Sequence, residues 1–498
     1  ALRAAASAVA WGVQQTEQAL AAGGGGGGGG ISASWWKPLE AVLMVAGIIS
    51  SAVERASHDA AGSALFDAAG ITSIAMRYVQ QGGGVGAAAS SSASSSSASA
   101  SSPVLLSRCI WLLGRFAWAL TGQNQAQAVF QAAVAALAAT QPLPVRISAC
   151  RALSSLSSQM AKQEQAQSQS QSTLRMAAVQ GVCLLLSDPV LSPDVLPAIV
   201  GALAELLEDN AQTACDAEPH LTPALVHVWS RHASNPHLCG AIVEVFQSIA
   251  AAPAALPGLQ SRLLPTLCSL MSGHATNLPG IVEYALDLMA VISRHAPLAP
   301  AFVSMALPPV LQFMHVSSDN AGLASGAVCL SALVYAGADA MVGMSGGQIG
   351  AGGGGAVPAI LNVILRLLAP DVVPEMGALG AGGLVTQVVL KLQAVLDPAA
   401  VQKIFHSVLV RLASAKYSAL KQSLVMVFAR LMHRDMSTVM RVVGSLPAIL
   451  DPAKGANVPA FALLAEQWVA EQPAFTGKFQ VKVSLLALAR LFKAHAQV

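Results

Sequence analysis

Residues 140–158 read TQPLPVRISACRALSSLSS. Val145, Ala149, Ala152, Leu153 and Leu156 recur at three- and four-residue steps, which puts them on one stripe of an α-helix whose first turn Pro142 and Pro144 prepare. Arg146 lies beside that stripe. A second helix precedes it over 125–139, where Ala128, Val129, Ala132, Ala133, Ala136 and Leu137 draw another stripe. Two such helices joined by a short turn cover each other only in part, so the pair needs further pairs stacked on it.

The pattern supplies them. The same spacing returns as 173–186 with 196–208, 221–232 with 238–251 and 259–272 with 281–294, and more faintly as 301–315 with 321–335, 357–368 with 384–396 and 399–412 with 418–433. The period is roughly 40 residues, the range of HEAT-like and armadillo-like repeats. The expected fold class is all-α: a HEAT-repeat α-solenoid, an armadillo-like superhelix in which each repeat touches its neighbours and the stack offers an extended binding surface.

Composition narrows the alternatives. A chain of 498 residues is too long for one core, and no shift to strand periodicity marks a second fold. Charged residues make up 10% against an ordinary quarter or so, while 54% are apolar, much of it alanine. The uncharged stretch 295–318 contains Pro297, Pro300, Pro308 and Pro309, which are expected to interrupt any spanning helix. A helix over 104–120 carries Arg108 and Arg115, costly at the centre of a bilayer. The expectation is a soluble chain with no membrane insertion. A formal charge of +2 gives no overall basic footprint for nucleic acid. Residues 1–20 resemble the interior of an amphipathic helix more than a signal sequence, and with Ala1 first the chain is expected to be a fragment. Seven cysteines, Cys109, Cys150, Cys183, Cys215, Cys239, Cys268 and Cys329, have no CxxC spacing; they suit a reducing compartment and read as small buried apolar residues.

Low-complexity tracts punctuate the repeats. The expected organisation is a partial helical repeat at 1–22, a Gly-rich loop at 23–34, HEAT repeats at 35–158 with a Gly/Ser insert at 82–102, a Gln/Ser-rich loop at 159–172, and HEAT repeats at 173–498 with a Gly-rich insert at 343–356. Doubling a flexible loop costs only about 0.6 kcal/mol of closure entropy, so helix ends facing water tolerate such inserts.

Catalytic motifs are weak. Gly343-Met344-Ser345-Gly346-Gly347 has the spelling of a nucleophile elbow, with Asp371 and His406 downstream, but alanine-rich helix and a glycine tract flank it instead of strand and helix. His220, His227, His232 and His237, with Cys215 and Cys239 nearby, are spaced by five or seven residues; five turn a helical side chain by about 140°, off any two-ligand face. No enzyme activity, metal or cofactor is expected. The charged stretches are more informative. Asp188, Asp194, Glu205, Glu208, Asp209, Asp216 and Glu218 lie in 188–218 without one Lys or Arg, a candidate surface for basic cargo or else a solvated helix face. In 391–441 the balance reverses: Lys391, Lys403, Arg411, Lys416, Lys421, Arg430, Arg434 and Arg441 face only Asp397 and Asp435, and read as exposed helix edges with too few aromatic residues for stacking on single strands.

Particular residues carry a resemblance. Trp35-Trp36-Lys37 before Glu40-Ala41, Leu106-Ser107-Arg108 with Trp111 and Arg115-Phe116, and Thr140-Gln141-Pro142 leading into Val145-Arg146-Ile147-Ser148-Ala149 form one group. Gln422-Ser423-Leu424-Val425-Met426-Val427-Phe428-Ala429 with Leu431 and His433, then Ser445-Leu446-Pro447, and Trp468 followed by Phe475, Gly477 and Lys482-Val483-Ser484 form another. In this order they resemble the central to C-terminal HEAT repeats of the karyopherin-β (importin-β) family, with 173–400 similar in pattern only. The resemblance implies a nuclear import receptor that wraps basic protein cargo such as histones or ribosomal proteins, meets phenylalanine-glycine nucleoporins, is regulated by the Ran GTPase in its GTP form, and shuttles between cytoplasm and nucleus through pores of the nuclear envelope. It also implies that the main Ran-binding surface lies in amino-terminal repeats expected to fall outside this chain. The acidic insertion common near the carboxyl end of the family is not seen in the sequence. The residues alone leave a second reading open, a static HEAT-repeat scaffold for a protein complex.

Overall fold

The apolar stripes become helices. A computed structural model describes residues 36–57, 66–82, 102–120, 122–163, 169–208, 210–272, 280–294, 297–344 and 355–495, together with Ser7, Ala8, Val9, Trp11, Gly12, Gln14, Gln15 and Gln18. Two compact units are present, Ala1–Ala255 and Leu256–Val498. The first contains α1 (Trp36–Ser57), α2 (Ala68–Gly82), α3 (Pro103–Arg115), α4 (Gln123–Ala136), α5 (Leu143–Gln163), α6 (Gln169–Leu186), α7 (Leu196–Leu207), α8 (Ala211–His232) and α9 (Pro236–Ala250). The second contains α10 (Leu256–Ser272), α11 (Ile281–Ser293), α12 (Pro300–Val316), α13 (Asn320–Val342), α14 (Ala356–Leu368), α15 (Ala381–Lys391), α16 (Pro398–Ser414), α17 (Ser418–Gly444), a hairpin of β1 (Ile449–Asp451) and β2 (Ala456–Val458), α18 (Ala460–Glu471) and α19 (Lys478–His495).

Within each unit the helices stack in two layers. In the first, α1, α3, α5, α7 and α9 pack successively and closely, while α2, α4, α6 and α8 form a looser layer over them; in the second, α11, α13, α15, α17 and α19 make the close layer and α10, α12, α14, α16 and α18 the looser one. This is the HEAT-like all-α solenoid arrangement expected from the repeat spacing. Val145, Ala149, Ala152, Leu153 and Leu156, the stripe of α5, are all buried, as are Val129, Ala133, Ala136 and Leu137 of α4. Neighbouring repeats approach closely where a side chain is missing. A Cβ on Gly47 of α1 would sit 2.2 Å from the Trp111 ring of α3, and one on Gly382 of α15 would sit 2.1 Å from the Ser423 carbonyl oxygen of α17.

Caps and arginines fix the ends. Asn210, Asn235, Asp319 and Asp397 accept hydrogen bonds from the first-turn amides of α8, α9, α13 and α16, interactions typically worth about 1 kcal/mol each. Arg366 of α14 donates to the Met314 and Ser317 carbonyls at the end of α12, both at 2.6 Å, and buried Arg411 of α16 donates to the Val373 carbonyl at 2.8 Å. Each guanidinium thus satisfies carbonyls that its neighbour's helix end or connecting loop leaves over.

Helix α12 runs through Pro308 and Pro309, as the helix expected over 301–315 requires, because Phe302, Val303, Ala306, Leu307, Val310, Leu311 and Met314 are buried on either side and hold the two halves in line; Pro300–Val316 is shorter than a membrane span. Other local expectations need correction. The Gln/Ser run expected as a loop at 159–172 is helical at both ends, since α5 continues to Gln163 and α6 opens at Gln169. Helix α8 begins ten residues before the expected 221, with Pro219 and Pro223 inside it. The helix expected over 104–120 stops at Arg115 and closes with a 3₁₀ turn, Ala117–Ala119. Most of the Gly-rich tracts at 23–34, 82–102 and 343–356 lies outside the described residues.

One described helix, α13, is long and apolar enough to cross a membrane. Its composition has a local reason: 56% of its most apolar window is buried inside the protein, where it packs against α11, α12 and α15.

Candidate functional site

The acidic stretch 188–218 spans the α6–α7 connection, α7 and the first half of α8, and the structure divides it. Asp188 is a joint residue. Its Oδ2 lies 2.6 Å from Nη1 of Arg146, which is 5% exposed, and its Oδ1 accepts the Val190 amide at 3.0 Å. That amide first, and then the guanidinium, hold the carboxyl below its ordinary range. Arg146 also donates to the Leu137 carbonyl at 3.3 Å, so the arginine beside the α5 stripe ties α5 to the end of α4 and to the loop after α6. Glu218 is 3% exposed and accepts from Thr222 Oγ1 at 3.1 Å. It therefore cannot belong to an open cargo surface. Glu205, Glu208, Asp194 and Asp216 are exposed; Glu205 accepts from Ser154 Oγ of α5 at 2.6 Å, and Asp216 from Gln212. Asp209 lies outside the described residues. Glu205 and Glu208 belong to the close layer and its helix end, whereas Asp216 stands on the looser one.

A second acidic group was passed over in the sequence. Glu283 and Asp287, four residues apart on α11, sit together near the Asp319 cap of α13. Burial raises both carboxyls, with mutual repulsion adding to Glu283, while Ser325 and Arg294 partly offset the effect on Asp287. Their i, i+4 spacing was the available signal.

Of the cations of 391–441, Lys391, Lys403, Lys416, Arg434 and Arg441 are exposed, in line with helix edges, Lys421 and Arg430 are half-buried, and Arg411 departs from that reading. Arg411 is buried and its guanidinium is pulled below its ordinary pKa by desolvation, against the opposing pull of Glu375 and Asp371. Lys391 lies 4.6 Å from the centre of the Tyr335 ring, Arg430 lies 5.6 Å from that of Phe479, and Lys421 is 3.8 Å from Glu471. Arg434 donates to the Leu390 carbonyl at 3.1 Å. Arg434 and Arg441 border a cleft of about 730 Å³ between the end of α15, α16 and α17. The cleft exists because α17 breaks at Asp435 (φ −146°, ψ 90°), whose Oδ1 accepts Ser437 Oγ at 2.8 Å and the Thr438 amide at 3.1 Å and so caps the second half of the helix.

Nucleophiles and metal ligands are not assembled by the described residues. Ser345 lies outside them; His220, His227 and His237 are exposed on α8 and α9; and among the described residues no group of three or more His, Cys, Asp or Glu could hold a metal ion. Cys109, Cys150, Cys239 and Cys329 are buried, as expected for small apolar residues, whereas Cys183, Cys215 and Cys268 are half-exposed. Burial pushes the Cys109 and Cys150 thiols up to about 12. What the site offers is surface, with carboxylates on the close layer and an apolar cleft with a cationic rim.

Comparison with known proteins follows the same line. Over 399 residues the chain is 22% identical to importin-9 of Drosophila melanogaster, covering 79% of this chain and 37% of that protein. Its relatives are importins. Over 304 residues it is also 22% identical to importin subunit beta-5 of Schizosaccharomyces pombe, covering 60% of this chain and 29% of that one. The resemblance to importin-9 type receptors carried by the tryptophan, arginine and serine motifs is thus found by alignment as well. No protein-family model matches the chain. Among solved structures, Lph2, a bidirectional nuclear transport receptor in S. cerevisiae, superposes with a TM-score of 0.52 at 11% identity over 93% of this chain and 46% of that one. The exportin Cse1 in its cargo-free, cytoplasmic state gives 0.51 at 12% identity over 77% and 38%. These likenesses establish the helical-repeat fold. The chain spans little more than a third of the length of this importin-9 and less than a third of that of importin subunit beta-5.

The structure places those motif residues at contacts between neighbouring helices. Glu40 of α1 meets Arg108 of α3 at 2.7 Å, and that guanidinium lies 4.8 Å from the centre of the Trp111 ring, which in turn covers Gly47. Arg115 donates to Ser50 and Ser51 of α1 at 3.1 and 2.8 Å, and Ser107 shares a 2.8 Å hydrogen bond with Ser148 of α5. At the other end, Trp468 Nε1 donates to Ser484 Oγ at 2.7 Å. The motifs are joints between successive repeats.

Proposed function

We propose that this importin-like chain is the central to C-terminal part of a nuclear transport receptor. It wraps basic protein cargo, of which histones and ribosomal proteins are the expected kinds, and carries it between cytoplasm and nucleus through weak contacts with phenylalanine-glycine nucleoporins at the pores. RanGTP is the expected regulator of such a receptor, and the chain itself performs no catalysis. The observation that carries this reading is the 22% identity to importin-9 over 399 residues, laid on a stack of helix pairs with no assembled reactive centre among the described residues. Curvature that accumulates over many joints suits capture of a large partner. Within unit 1, Glu205 and Glu208, together with Asp209, are the carboxylates proposed to meet cargo, with Asp194 and Asp216 at the margins; Asp188 and Glu218 serve the fold instead.

The test is a salt titration of histone dimer binding by fluorescence anisotropy. Replacing Glu205 and Glu208 with Gln and Asp209 with Asn is expected to weaken binding several-fold at low salt and to flatten the salt dependence. An unchanged curve removes the patch from the proposal. Retention on a column of phenylalanine-glycine repeats, together with nuclear entry of the tagged parent, separates a receptor from a static scaffold, which should show neither.

A further inference from the structure

The cleft beside the α17 break is a notch between α15, α16 and α17 of unit 2. Its floor is apolar, with Leu396, Phe405, Leu431 and Val439 buried beneath it. Its rim carries Arg434 and Arg441 with the amides Gln393 and Gln402. Asp435 is the one carboxylate in the lining and it is ionised: the Thr438 side chain and amide and Ser437 hold the carboxyl at about 2, with Arg441 adding a weaker pull, and its Oδ1 is turned into the helix cap, so it offsets part of the rim's positive charge. Arg434 reaches from α17 to the Leu390 carbonyl of α15 through one nitrogen, and a guanidinium has further N–H donors to present outward. The mouth of the cleft is therefore a greasy trough edged by two cations and one capped carboxylate, a net positive rim.

We infer that this cleft docks an acidic segment of a partner protein, one that places a leucine- or phenylalanine-sized side chain on the apolar floor and flanking carboxylates against Arg434 and Arg441. Charge complementarity selects this occupant. A basic segment would meet both guanidiniums, and nucleic acid would find two cations and no exposed aromatic ring to stack on. A neutral apolar peptide would use the floor and leave the rim unanswered. The volume, about 730 Å³, lies in the upper part of the range for sites that bury a drug-sized ligand, room for a short peptide segment. The surface is distinct from the carboxylates of α7, and the inference stands whether or not the transport reading holds.

The experiment uses the whole chain and a short fluorescent peptide of glutamates flanking a central leucine–phenylalanine pair. Anisotropy is expected to show saturable binding that weakens as salt rises. Arg441→Glu, at an exposed rim position, and Gln393→Glu, on the opposite lip, are each expected to weaken binding about tenfold, equivalent to 1.4 kcal/mol, while far-UV spectra and melting temperature stay as in the parent. Two variants on different elements, one on α17 and one in the turn after α15, keep the test informative if one of them fails to fold. The inference is overturned if a peptide with lysines in place of the glutamates, or a neutral phenylalanine-glycine peptide, binds as tightly, or if both well-folded variants bind the acidic peptide unchanged.

Discussion

At the scale of single residues, the chain's polar side chains act as fasteners. Trp468 is 1% exposed and its indole N–H has Ser484 Oγ as its partner; the serine hydroxyl in turn donates to Gln472 Oε1 at 2.5 Å, joining α18 to α19 through the turn between them. Removing the hydroxyl leaves a buried donor without its acceptor, a loss that typically costs about 1–3 kcal/mol. Ser484→Ala is therefore expected to lower the denaturant midpoint at unchanged slope and to shift tryptophan fluorescence, whereas Ser484→Thr, which keeps the hydroxyl, should recover much of the loss. A midpoint unchanged in the alanine variant would show that water or another group satisfies the indole. The sequence displayed Trp468 and Ser484 as members of a motif, but only the packing of α18 on α19 shows that they bond to each other.

At the scale of elements, what the sequence revealed and what it hid follow from one distinction. Helices with unbroken stripes, such as α5 with Val145 and Leu153 or α7 with Ile199 and Leu203, were legible because periodicity is a local property. The first half of α8, residues 211–220, was not; burial of Thr213, Ala214, Ala217, Leu221 and Leu225 carries the helix through Pro219 and Pro223. The hairpin at 449–458 went unseen; its signal was the turn Asp451-Pro452-Ala453-Lys454-Gly455, with Gly455 at φ 62°. Among the acidic candidates, charge was visible but burial was not, so Glu218 was counted as surface and the Glu283–Asp287 pair was passed over. The α17 break was also spelled out, as Asp435-Met436-Ser437-Thr438, a cap signature inside an otherwise helical run. It yields a pH test. Folding lowers the Asp435 carboxyl from 3.8 to about 2, so the stability it provides is fully present above pH 4 and is lost as the pH falls toward 2. Asp435→Asn keeps an acceptor for the Thr438 amide without titrating. Its melting temperature is expected to fall less between pH 4 and pH 2 than that of the parent, and parallel curves would show that the carboxyl does not govern the break.

At the scale of the whole molecule, part of a low charge content goes into joints. Arg108, Arg115, Arg146, Arg366, Arg411 and Arg490 all bond to neighbouring helices or the ends and loops around them, so 6 of the 27 basic side chains serve as joints. Each joint is made from direct contacts between adjacent repeats, and stability in such a stack is approximately a sum of repeat and nearest-neighbour terms. A fault at one joint should then loosen nearby helices while leaving distant ones protected. Gly382 offers the cleanest place to introduce one, since a methyl there would press on the Ser423 backbone, which cannot turn away as a flexible side chain could. Gly382→Ala is expected to destabilise unit 2 by about 1–3 kcal/mol, the usual range for overpacking a closed interface. Hydrogen exchange should accelerate first in α15 and α17, then in α13 and α19, and stay at parental rates in α1 to α9. Uniform acceleration through both units would mean that the chain unfolds as one cooperative block; a bendable receptor built from separable joints could not then be assumed.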